Sequence, residues 1–149
     1  MLELEKVCDA NISYYSEYDK AYDNDLKNYQ SRIYPSSDTQ YLHWYHIKAD
    51  GKYIGAIWLE KAYTEDFSVL GLFIADENYR NKGIGTEAIT QIIRDLPGAH
   101  TNKILLRVRQ ENERAIRCYK KVGFEEYRQY GKNGLNVLEM IYMSKIDTL

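Results

Sequence analysis

A chain of 149 residues with 44% apolar side chains can bury one core but not two ordinary catalytic domains. A net charge of −2 with interspersed signs argues against a nucleic-acid binder, which would carry a basic face, and Cys8 and Cys118 are too far apart for a disulfide framework or a metal site. No stretch has signal-peptide or membrane-spanning length, so the expectation is a single cytoplasmic domain, 1–149, with neither a membrane nor a nucleic acid as partner.

In chain order, residues 2–7 read as a short strand. Ile12, Tyr15, Tyr22, Leu26, Tyr29 and Ile33 then recur at three- and four-residue steps, a stripe that Asp19 interrupts, so one broken helix or two short ones would fit. Eight of the fifteen tyrosines lie between Tyr14 and Tyr45, beside Asp19, Asp23 and Asp25. They read as packing residues first and as a cation-binding wall second. Pro35-Ser36-Ser37-Asp38 marks a loop. Residues 41–48 and 53–60 read as strands joined by Ala49-Asp50-Gly51-Lys52, an antiparallel hairpin. A third strand, 67–75, contains Gly71, and a glycine inside a strand marks a bulge or a close backbone approach; a bulge is the expectation here. His43 and His46 are three apart on their strand and point to opposite faces, which disfavours a shared metal.

From Gly83 onward Ile84, Ala88, Ile89, Ile92, Ile93 and Leu96 form a helical stripe stopped by Pro97-Gly98. Residues 104–109 read as a strand, and strand, helix, strand in this order suggests a parallel crossover in an otherwise antiparallel sheet. Asn112 can cap a second helix that ends at Gly123. Two strands, 124–130 and 136–144, follow. The fold class is α/β (α+β): a mixed central sheet of about six to seven strands.

The chemistry concentrates in Arg80-Asn81-Lys82-Gly83-Ile84-Gly85-Thr86. Glycines let the backbone approach an anion, and helix-start amides with Arg80 and Lys82 attract phosphate. A pyrophosphate cradle and a flexible basic turn both fit the motif by itself. A dinucleotide fingerprint is opposed by the gap of about seven residues between Ala75 and Gly83, and by the missing acid near 103–107. A triphosphate-binding loop is excluded, because no Gly-Lys-Ser/Thr is present.

Arg80-Asn81-Lys82-Gly83-Ile84-Gly85 resembles the Arg/Gln-x-x-Gly-x-Gly/Ala signature of the GNAT (GCN5-related) N-acetyltransferases, and residues 112–124, from Asn112-Glu113-Arg114 through Tyr119 to Gly123-Phe124, resemble their second motif. That second motif is similar in aminoglycoside 6′-N-acetyltransferases and in ribosomal-protein N-acetyltransferases. The resemblance implies a GNAT fold with helices on both faces and a splayed parallel strand pair. Acetyl-coenzyme A enters the gap as cosubstrate, its pantetheine arm running along Phe73, Ile74 and Ala75, its pyrophosphate on Arg80, Asn81, Lys82, Gly83, Ile84, Gly85 and Thr86. Asn112 would contact the pantetheine, and Tyr119 matches the tyrosine that protonates the departing thiolate, although its spacing alone also suits a core residue. No metal is implied, and a homodimer is the assembly common in the family.

The general base is not given by the resemblance: Gly71 and Arg107 occupy positions where some relatives carry acids. Glu60 is the first candidate and Glu139 the second, with a water chain or an already neutral amine as the alternative. The implied function is acetyl transfer to a primary amine of a small molecule or peptide, the acidic tyrosine-rich region hinting at a cation such as an aminoglycoside or a polyamine. A non-catalytic acyl-coenzyme A sensor is the alternative.

Overall fold

The structure, a computed structural model, describes residues 2–8, 10 and 36–144. Seven strands, β1 (Leu2–Lys6), β2 (Thr39–Ala49), β3 (Lys52–Ala62), β4 (Ser68–Ile74), β5 (Lys103–Arg109), β6 (Glu125–Lys132) and β7 (Leu135–Met143), form one sheet in the order β1-β2-β3-β4-β5-β7-β6. Helix α1 (Ile84–Asp95) and the single turn α2 (Gly98–Thr101) connect β4 to β5, and α3 (Glu113–Val122) connects β5 to β6. Every neighbouring pair is antiparallel except β4 and β5. The two-residue loops Asp50-Gly51 and Asn133-Gly134 take positive φ at both positions, the backbone that matches the twist of the flanking strands.

Side-chain alternation divides the core in two. Ile47, Ile57, Leu59, Leu70, Ile104, Leu106, Leu138 and Met140 point to one face, where Ala88, Ile89 and Ile92 of α1 and the apolar side of α3 cover them. On the other face Trp44 and Ala56 pack with Leu42, Trp58 and Phe73. Both long described helices therefore lie on the first face. The helical stripe read between Ile12 and Ile33, its tyrosines and its aspartates lie outside the described residues.

Pro97, read as a stop, also starts α2, because a proline at a helix start gives up an amide that has no partner there anyway. That turn carries His100 to His43, Nδ1 to Nε2 at 2.9 Å, and stacks its ring on Tyr41 at 3.7 Å. Tyr41 in turn meets Ser68, whose hydroxyl donates to the His100 carbonyl at 2.8 Å. This cluster ties α2 to the closed end of the parallel pair. His46 is fully buried away from it, edge-on to Tyr53.

Gly71 makes no bulge: the β3–β4 register runs unbroken from Gly55↔Ile74 to Glu60↔Val69. The glycine answers a close approach instead, since the Trp58 indole lies over it and a Cβ there would sit 2.2 Å from Cζ2. Trp58 is held in place by stacking on Trp44, with centroids 4.4 Å apart.

Candidate active site

The parallel strands separate where the chemistry was expected. β4 and β5 pair only at Ser68↔Ile104, Val69↔Leu105 and Leu70↔Leu106, although β4 runs on to Ile74 and β5 to Arg109. Beyond Leu70 the other edge of β4 stays bonded to β3. The Phe73 carbonyl faces that partner, so close to Gly55 that a Cβ there would be 2.1 Å away. Since backbone groups alternate in direction along a strand, Leu72 and Ile74 are the residues that turn their N–H and C=O into the gap. Ala75 does not, because its N–H donates to the Ile54 carbonyl at 2.7 Å.

A short connection leads from β4 to α1. Asp76 caps the turn Glu77–Tyr79 by accepting from the Asn78 N–H at 3.0 Å. Arg80 then folds back, donating from Nε to the Ile74 carbonyl at 2.9 Å and from Nη2 to that of Ala75 at 3.4 Å. Asn81 and Gly83 both have positive φ, 63° and 78°, and Gly83 is the N-cap of α1 with no side chain to cap the helix. A residue with a Cβ would be strained at Gly83, whereas glycine turns the chain freely. The first intrahelical bond is from the Glu87 N–H to the Gly83 carbonyl at 3.0 Å. The amides of Ile84, Gly85 and Thr86 are thus left for an external acceptor, at the positive end of the helix dipole.

These pieces line one cleft of about 430 Å³. Leu72, Phe73 and Ile74 form one wall and Asn112, Arg114, Ala115, Cys118 and Tyr119 the other, with Tyr79, Arg80, Asn81 and residues 83–86 across the end. Most of the residues read from the sequence meet here. Lys82 does not: it is exposed and faces a separate depression beside Asp50 and Glu87. Leu72, Arg114 and Cys118 were missed; Leu72 could have been found by alternation from Ile74.

Asn112 caps α3, its Oδ1 accepting from the Ala115 N–H at 3.2 Å, which leaves its side-chain amide without a partner among the described residues. Tyr119, on the inner side of α3, packs its ring against Phe124 with centroids 6.2 Å apart. Burial, and then the neighbouring Cys118, push its phenol above the usual value. Glu60 is half-buried on β3 opposite Val69, on the face away from α1 and α3 and outside the cleft. Glu139 is completely buried, and both carboxylate oxygens are taken by Arg107 and Arg128.

The cleft thus brings together the uncapped start of α1, the open edge of β4 and the side chains of Asn112, Arg114 and Tyr119, and a helix start is a natural place for an anion. Comparison with known proteins agrees. Residues 4–124 match the model of the acetyltransferase (GNAT) family, and the chain belongs to that family. It is therefore an acetyl-coenzyme A-dependent acyltransferase.

Among solved structures, the ribosomal-protein-S18-alanine N-acetyltransferase from Escherichia coli is 16% identical, with a TM-score of 0.72 over 95% of this chain and 93% of that one. The dodecameric spermidine N-acetyltransferase from Vibrio cholerae is 18% identical, with a TM-score of 0.70 over 95% and 93%. A candidate phosphinothricin N-acetyltransferase reaches a TM-score of 0.74 at 17% identity, over 97% of this chain and all of that one. At such identities the likeness is one of fold. No curated protein matches the chain in sequence.

Proposed function

We propose that the protein transfers an acetyl group directly from acetyl-coenzyme A to a primary amine, with no covalent enzyme intermediate. The observation that supports this most is the end of β4–β5 pairing at Leu70, which opens the Leu72–Ile74 edge beside the uncapped start of α1. When bound, acetyl-coenzyme A supplies the acetyl group as a thioester. The amides of Ile84, Gly85 and Thr86 hold its diphosphate, and Arg80 braces the loop that presents them. The N–H groups on the open edge of β4 bind the arm and lie ready to stabilise oxyanion charge. The free amide of Asn112 donates to the pantetheine.

Tyr119 gives its proton to the sulfur as the thiol leaves. Its raised pKa suits that role, since the hydroxyl stays protonated throughout the working pH range. The amine poses the harder problem, because an alkyl amine near pKa 10.4 is neutral in only about one molecule in a few thousand at pH 7. Glu60 is the candidate acceptor for that proton, acting through water. Glu139 is a poor one, with both oxygens occupied. The acceptors named for two of the structural neighbours, spermidine and the alanine of ribosomal protein S18, are both acetylated on nitrogen, which supports an amine here.

The test is coenzyme A thiol release when the chain is mixed with acetyl-coenzyme A and a panel of amino acids, peptides, polyamines and aminoglycosides. Release that depends on an amine is expected. Tight coenzyme binding without release across the whole panel would overturn the catalytic reading.

A further inference from the structure

On the sheet face away from α1 and α3, Arg107 of β5, Glu139 of β7 and Arg128 of β6 stand in one cross-strand row, paired as Arg107↔Glu139 and Arg128↔Glu139. Glu139 is fully buried, its Oε2 accepting from Arg107 Nε at 2.9 Å and its Oε1 from Arg128 Nε. Arg128 reaches this face through a bulge: the register steps from Glu126↔Met140 to Arg128↔Glu139, leaving Tyr127 as an extra residue. Such an insertion re-aims every side chain after it. Tyr130 completes the arrangement, its hydroxyl accepting from Arg107 Nε at 3.1 Å and its ring lying 5.6 Å from the Arg128 guanidinium.

The two guanidiniums are not buried with their carboxylate. Their side chains are 48% and 63% exposed, and each spends its Nε on Glu139, leaving the Nη groups unpartnered among the described residues. The row carries one net positive charge. As a stabilising device it is weak, because a buried ion pair often does no better than apolar side chains of the same volume. What it achieves is to hold two guanidinium forks side by side.

Their position gives this a use. Pairing of β4 with β5 ends at Leu106, so Arg107 is the first β5 residue past the closed part of the sheet, level with Gly71. The coenzyme cleft lies against α1 and α3, so an acceptor must approach the gap from the opposite face, where the row stands.

We propose that Arg107 and Arg128 form an acceptor subsite and that the amine substrate carries a carboxylate, whose planar oxygens match the guanidinium fork. The proposal rests on the acetyl-transfer reading and narrows it from any amine to an amino acid or a related amino carboxylate. It runs against the polycation suggested by the acidic N-terminal stretch.

The test uses the full chain with acetyl-coenzyme A and pairs of amines differing only in carboxylate versus carboxamide, compared at equal concentrations of unprotonated amine, with spermidine as a third arm. The carboxylate member of at least one pair should win by about 10- to 100-fold in kcat/KM, the usual worth of a charged hydrogen bond. Arg107→Lys keeps a cation against Glu139 but loses the fork, and Arg128→Gln lies on an edge strand. Either should erase that preference mainly through KM, weakening the carboxylate acceptor far more than its carboxamide partner, while coenzyme binding is retained. No carboxylate preference in any pair, or spermidine as the best acceptor, would overturn this inference alone. Failure to bind coenzyme would overturn the acetyl-transfer reading and this inference together.

Discussion

Tyr119 lines the cleft with its ring packed against Phe124, and its hydroxyl has no hydrogen-bond partner among the described residues. A thiol is already a tolerable leaving group, so losing its proton donor should cost only the lower part of the usual range for general acid catalysis. We expect Tyr119→Phe to lower kcat by about 10²-fold while leaving coenzyme affinity unchanged. Because burial raises the phenol pKa, the wild-type rate should climb with pH as the amine loses its proton, with no descending limb from Tyr119 below about pH 10. A stopped or steady-state thiol assay across pH measures both, and an unimpaired variant would remove Tyr119 from the chemistry. Asn112 was legible from its place before a helical pattern, because capping is local. The surroundings of Gly71 were not, since the indole that excludes a side chain there comes from another strand.

Among the described residues, the seven strands and the helices α1 and α3 were readable to within a residue or two, because period and turn residues are local signals, whereas the single turn α2 was read as loop. The splay was known only through resemblance; nothing in residues 68–74 or 103–109 by themselves announces that pairing stops after three residues. Trp58 lies over Gly71 just where the gap begins and stacks on Trp44, so it packs the root of the splay. A methyl at Gly71 must displace it. Gly71→Ala should therefore destabilise the fold by about 1–3 kcal/mol, the usual cost of overpacking a rigid contact, and change tryptophan fluorescence in the folded state. Urea unfolding measures the first. A variant as stable as wild type would show that the indole moves aside at no cost.

For the whole molecule, order and facing decide function. The sheet order β4-β5-β7-β6 brings Arg107, Glu139 and Arg128 into one row from three strands, and a single extra residue at Tyr127 determines that Arg128 belongs to it. Neither register nor bulge can be read from one strand at a time, so Glu139 looked like a free carboxylate in sequence and is a clamped one in the fold. Much of the cleft could be assembled from sequence because residues 80–86 and 112–119 lie in two contiguous motifs; the row of Arg107, Glu139 and Arg128 could not, because it is built across three strands.

The central claim is that the gap between β4 and β5, together with the start of α1, receives coenzyme A. Amide-resolved NMR during titration with the free coenzyme tests it most directly: the signals of Leu72, Ile74, Ile84, Gly85 and Thr86 should shift together and saturate at one equivalent. Shifts confined to another part of the sheet, or none at all, would contradict it.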